Sequence, residues 1–121
     1  MKIIRYQDAK GVTGFAAQQA DGSYLAIEGD IYTSPRVTKQ KVTPVKLLAP
    51  IEPRAILCIG LNYKRHAAES KLAAPQFPVL FLKGVNALQN PGDPILIPTH
   101  LRSEEVDYEC ELAVEIGRAH V

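Results

Sequence analysis

The sequence predicts a mainly β protein with short helices, in which a small N-terminal antiparallel β module precedes a second, more apolar β region. Three observations carry this. Short β-prone runs alternate with turn signals from Met1 to about Tyr32. A stretch rich in Pro, Thr and Lys follows, from Thr33 to Pro53. Beyond it, Ala55–Gly60 and Val79–Lys83 are apolar runs of strand character. The boundary between the two regions falls at residues 48 and 49, giving a module with its connector over 1–48 and a second region over 49–121.

In the first region Ile3 to Tyr6 is a strand, and Asp8-Ala9-Lys10-Gly11 turns. Thr13 to Ala17 is the next, and Asp21-Gly22 is a strong hairpin signal. Tyr24 to Ile27 follows, and Glu28-Gly29-Asp30 turns again. No cluster of chemical groups marks this module, which reads as a structural or dimerising appendage. Pro35, Pro44, Pro50 and Pro53 disfavour a continuous helix or a central strand. The stretch 33–53 therefore reads as a surface connector ending in a short apolar anchor at Val45 to Ala49.

In the second region Ala55 to Gly60 reads as a strand buried on both faces. Gly60 permits a tight exit, and Asn62 is placed to cap a short helix over Tyr63 to Ser70. Pro75 and Pro78 keep the next loop irregular before the strand Val79 to Lys83. Asn90-Pro91-Gly92-Asp93-Pro94 is a turn, with Pro presetting φ and Gly allowing it to be positive. A short edge strand is expected at Ile95 to Pro98, and a last strand at Asp107 to Ile116.

Bulk properties exclude several function classes. Apolar residues make up 46% of the 121 residues, as in globular proteins. A formal net charge of +1, with Lys and Arg dispersed, gives no electrostatic reason to expect nucleic acid or an anionic membrane as partner. The apolar runs are far too short to span a bilayer, and the N-terminus carries no apolar stretch of signal-peptide length. A cytoplasmic location is the default. Cys58 and Cys110 form neither a CxxC motif nor a disulfide framework, and each reads as a small buried hydrophobe.

Three groups of residues could carry chemistry. Along a strand, alternate side chains share a face. Asp107, Glu109, Glu111 and Glu115 would then lie on one side, with Tyr108, Cys110, Leu112 and Val114 on the other. The plainer reading is a half-buried strand with a wet acidic face. The functional one is a hard-cation site, because carboxylates two residues apart stand roughly 7 Å apart at the backbone and can converge on one ion. Oxygen-only ligands suit Mg²⁺, Mn²⁺ or Ca²⁺. The second group is His66 with Glu69, at i and i+3 on a helix. It is either a solvated surface pair or an acid–base pair in which the carboxylate raises the imidazole's basicity. The third is Lys83, which either marks the strand's exit into solvent or binds a substrate carboxylate as a point charge.

Taken together, these segments resemble the fumarylacetoacetate hydrolase family. Leu57-Cys58-Ile59-Gly60-Leu61-Asn62-Tyr63-Lys64-Arg65-His66-Ala67-Ala68-Glu69 is similar to the family's strand and its G-x-N-Y-x-x-H-x-x-E segment. Phe81-Leu82-Lys83, Ala87-Leu88 and Asn90 to Ile95 are similar to its next strand and turn. Asp107 to Val114 is similar to its metal-binding strand. The specificity lies in the order and spacing of the three, over about Leu48 to Arg118.

The resemblance implies a mixed β-roll around a central pocket, of which this chain carries the N-terminal portion and stops before the roll closes. It implies that Glu109 and Glu111 are two of the metal-binding carboxylates, the third being an aspartate in a later segment that this chain does not contain. It implies that His66 and Glu69 form a proton-transfer dyad and that Lys83 faces the substrate. The expected cofactor is Mg²⁺ or Mn²⁺, the expected substrate a small oxo-acid, as in the breakdown of aromatic compounds, and the expected assembly a homodimer. The expected reaction is hydrolysis, decarboxylation or isomerisation. Two departures from the family pattern, Lys64-Arg65 ahead of His66 and Gly84-Val85-Asn86 after Lys83, bear on substrate preference. The competing expectation is a catalytically inactive module that only binds a ligand or a partner chain.

Overall fold

The computed structural model describes residues 1–106, 108 and 110–116. Among the described residues the chain is mainly β, with one short α-helix, and both sheets are antiparallel. Strands β1 (Lys2–Gln7), β2 (Thr13–Gln18), β3 (Tyr24–Glu28), β4 (Arg36–Val42) and β5 (Lys46–Leu48) form one sheet in the order β4-β3-β2-β1-β5. Strands β6 (Ile56–Gly60) and β7 (Val79–Lys83) form a two-stranded ribbon. Helix α1 (Lys64–Glu69) lies in the connection between them.

The turns of the first sheet are set by local chemistry. Asp8 Oδ1 accepts the backbone N–H groups of Lys10 and Val12, both at 2.8 Å. Asp21 Oδ1 accepts the N–H of Ser23 at 2.9 Å and its hydroxyl at 2.7 Å, while Gly22 supplies a φ of +81°. Between β3 and β4 the register shifts between Leu25 and Ile27, and the Thr38 hydroxyl donates to the Ala26 carbonyl at 3.1 Å. The polar group released by the irregularity thus finds a partner. The core is small. Tyr6, Ala16, Ala17 and Ala49 are buried, and the Tyr6 ring lies over Gly14, its partner in the β1–β2 register.

The stretch 33–53 is not a plain connector. It contains β4, which pairs with β3, and β5, which pairs with β1. Its prolines lie at strand borders: Pro35 precedes β4, Pro44 separates β4 from β5, and Pro50 follows β5. A residue without an N–H costs nothing there, so Pro marks the ends of these strands rather than forbidding them.

The second region departs from expectation in several places. β6 is not buried on both faces, since Leu57 is 60% exposed. Every residue of β7 is exposed. Both strands are edges of a two-stranded ribbon, and the other four residues of β6 are only half-buried. Ile95 to Pro98 forms no strand. Nor do the described residues of the acidic stretch, Tyr108 and 110–116, and Asp107 and Glu109 lie outside the described residues. The expected core face of that stretch is not realised: Tyr108, Leu112 and Val114 are exposed, and so is Cys110, which is therefore not the buried hydrophobe its apolar setting suggested. Alternation acquires an inside only where a paired strand sits on a covered sheet. Cys58, in β6, is half-buried.

Candidate functional site

The corner between β6 and α1 brings the described part of the acidic stretch to the head of the helix that carries His66 and Glu69. β6 ends at Gly60, but the left-handed residue that turns the chain is Leu61, with φ of 51°. Asn62 does not cap the helix. The N-cap is Tyr63, in extended conformation and without a side-chain cap bond. Asn62 is used elsewhere: with its amide oriented to satisfy both neighbours, its nitrogen donates to Ile59 O at 3.3 Å and to Glu111 Oε1 at 3.1 Å. One residue on, the Tyr63 hydroxyl accepts the backbone N–H of Leu112 at 2.8 Å. Adjacent side chains at the head of the helix thus hold adjacent residues of the acidic stretch.

His66 stands three residues beyond Tyr63, in the helix that begins at this corner. His66 and Glu69 are both exposed, and Ala67 between them is the buried contact that seats the helix. The C-terminus of α1 closes on Lys71 in the left-handed region, φ 55°, with Lys71 N–H donating to Ala68 O and Leu72 N–H to Ala67 O, both at 3.1 Å. This paired closure satisfies the helix's last carbonyls, with lysine where glycine is usual.

Lys83 stands apart from the corner. The ribbon register pairs Gly60 with Val79 and Ile56 with Lys83, which puts Lys83 four residues, roughly 13 Å, along the ribbon from the end where α1 begins. Its ammonium lies 6.0 Å from the centre of the Phe81 ring.

The donor chemistry at the corner suits a hard cation: the Glu111 carboxylate offers oxygen, and the Asn62 amide nitrogen donates to one of its two oxygens. Among the described residues no group of three His, Cys, Asp or Glu side chains is gathered around one point. Glu109, the expected second ligand, lies outside the described residues. Two further features escaped the sequence reading. Tyr32, on the β3–β4 loop, donates its hydroxyl to the Glu115 carboxylate. This bond raises the Tyr32 phenol from 10.0 to about 12. A cleft of about 430 Å³ lies on the N-terminal sheet, lined by Arg5, Phe15, Asp30, Tyr32 and Glu52 among others, and contains none of the predicted site residues. No contiguous motif announces these features, because each joins residues far apart in the chain.

A mainly β chain that docks an acidic stretch at the head of a His- and Glu-bearing helix defines a class, and comparison with known proteins gives it a family. Residues 55–121 match the fumarylacetoacetate (FAA) hydrolase C-terminal domain, more than half of the chain, and the protein belongs to the fumarylacetoacetate hydrolase family. It is 45% identical over 75 residues to a mitochondrial oxaloacetate tautomerase of Xenopus laevis, a match covering 61% of this chain and 23% of that protein. It is 40% identical over 92 residues to a caffeoylpyruvate hydrolase of Neonothopanus nambi, covering 71% of this chain and 32% of that one. An uncharacterised protein from Mycobacterium abscessus has a similar structure, with a TM-score of 0.64 and 29% identity over 82% of this chain and 39% of that chain. The matches span about a quarter to a third of the length of these curated relatives. No described helix is long and apolar enough to cross a membrane.

Proposed function

We propose that the protein is a metal-dependent enzyme acting on small oxo-acids, by hydrolysis of a C–C bond or by isomerisation or decarboxylation beside a carbonyl. The observation that carries this is the double tie at the corner, Asn62 to Glu111 and Tyr63 to Leu112, which brings the acidic stretch to the head of the helix bearing His66 and Glu69. That the relatives include a tautomerase of one oxo-acid and a hydrolase of another supports the substrate class.

Glu111, together with Glu109, would hold Mg²⁺ or Mn²⁺, with Ca²⁺ a weaker fit. The cation, when bound, polarises the paired oxygens of an oxo-acid and stabilises negative charge on them. Asn62 fixes the rotamer of Glu111 by donating to one of its oxygens. His66 takes a proton, from water in a hydrolysis or from the carbon beside the carbonyl in an isomerisation, and returns it. Glu69, one turn along, raises the basicity of His66. Lys83, roughly 13 Å along the ribbon from the corner, is too far to meet a small oxo-acid held there and takes no step in this reading. Residues 1–48 form a separate module, and residues 49–121 belong to the catalytic domain. The proposed assembly is a homodimer.

The test is turnover by the natural protein with Mg²⁺. Keto–enol conversion of oxaloacetate and C–C cleavage of an acylpyruvate would be followed by loss of enol absorbance. Turnover of at least one is expected, and His66→Ala should lower it by roughly 10²–10⁴-fold while leaving cation affinity nearly unchanged. No turnover of either class would overturn the reading.

A further inference from the structure

We infer that Tyr32 is a positioning residue, bracing the acidic stretch from the N-terminal sheet. The inference rests on the proposed reading of Glu111 as a cation ligand. Among the described residues the stretch is tied near its middle by Asn62 and Tyr63, and at Glu115 by the Tyr32 hydroxyl. The tie at Glu115 comes from the β3–β4 loop of the N-terminal sheet.

The turn that carries Tyr32 is built to aim it. Asp30 Oδ1 accepts the backbone N–H groups of Tyr32 at 2.7 Å and Thr33 at 3.1 Å. Asp30 O accepts those of Thr33 and Ser34, at 3.3 and 3.0 Å. Gly29 has φ of +85°, and a Cβ there would stand 2.5 Å from Ser34 O, so only glycine fits. The turn is thereby fixed by its own hydrogen bonds before Tyr32 meets Glu115. A donor held in place loses little freedom on binding, which is what makes an exposed hydrogen bond effective. Tyr32 is itself 56% exposed, so removing its hydroxyl leaves the core untouched.

The experiment compares the natural protein with Tyr32→Phe, Glu115→Leu and the double variant. Two quantities are read: millisecond amide exchange over Leu112–Ile116, and Mn²⁺ affinity by calorimetry. Each single variant should speed exchange about two- to ten-fold, the range expected for one lost hydrogen bond. Each should weaken Mn²⁺ binding by about three-fold, and the double variant should be no worse than either single one. Unchanged exchange would overturn the brace. Faster exchange with unchanged Mn²⁺ affinity would overturn the positioning role and leave a structural contact. A wild-type protein that binds no Mn²⁺ would overturn the cation reading, and the exchange measurement would then decide the brace by itself.

Discussion

Lys71 and Leu61 both hold positive φ, and neither is glycine. A left-handed conformation costs a side-chain-bearing residue about 1 kcal/mol relative to glycine. At Lys71 the closing bonds from Lys71 and Leu72 to the last turn of α1 offset that cost. Lys71→Gly should therefore stabilise the fold by about 0.5–1 kcal/mol, read as a higher urea midpoint with an unchanged slope. A lower midpoint would mean that the lysine side chain contributes something that the backbone geometry does not show. Residues of this kind were hidden in the sequence, because a bulky side chain adopts this conformation only when surrounding bonds impose it. Asp8, Asp21, Gly22 and Gly29 were legible for the opposite reason. Their turn chemistry is local, and the bonds they make run to residues within a few positions. Asn62 lies between these cases. Its place ahead of a helix suggested a cap, yet its amide reaches Glu111, a partner that no local rule supplies.

At the scale of elements, the turn at Asn90–Pro94 fastens β5 to the second region. Asn90 Oδ1 accepts the N–H of buried Ala49 at 2.9 Å, and Asn90 Nδ2 donates to Asp93 at 2.9 Å. The Lys46 ammonium reaches the same Asp93 carboxylate at 2.8 Å. Asn90→Ala leaves the Ala49 N–H buried without its acceptor and should cost about 1–3 kcal/mol in chemical denaturation. A neutral substitution would show that water replaces the amide. The Lys46 hydrogen bond first, and then that of Asn90, hold the Asp93 carboxyl below its ordinary 3.8. A depressed native value stabilises the fold above the ordinary value, and that contribution is lost as the pH falls through the native one. The acid limb of the stability profile should accordingly flatten in Lys46→Met. The turn itself was legible from Pro91 and Gly92, but its role as a fastener was not, since both partners lie more than 40 positions away. Strands β4 and β5 are hard to read in the sequence because Pro marks where a strand ends without saying that a strand lies between two such marks.

At the scale of the whole molecule, apolar surface is distributed unevenly. The N-terminal sheet buries Tyr6, Ala16, Ala17 and Ala49, whereas Leu57, Leu80 and Leu82 on the ribbon and Leu112, Val114 and Ile116 beyond it are exposed. Open strand edges flanked by apolar side chains pair readily with other chains. This 121-residue chain, prepared alone, should self-associate at micromolar concentration, and a single monomeric boundary in sedimentation velocity would contradict that. The mainly β class was legible because it depends on short-range patterns. The acidic stretch was not legible as an element: whether 107–116 pairs as a strand depends on neighbours that its own alternation does not specify. The proposal that Glu109 and Glu111 hold a hard cation near the helix bearing His66 is decided by calorimetric titration of the natural protein with Mn²⁺, wild type against Glu109→Gln and Glu111→Gln. Each substitution should weaken binding by at least about ten-fold, since a hard cation depends on the charge of its carboxylate ligands. Equal Mn²⁺ affinity in all three proteins would contradict the account and reduce the acidic stretch to a solvated surface.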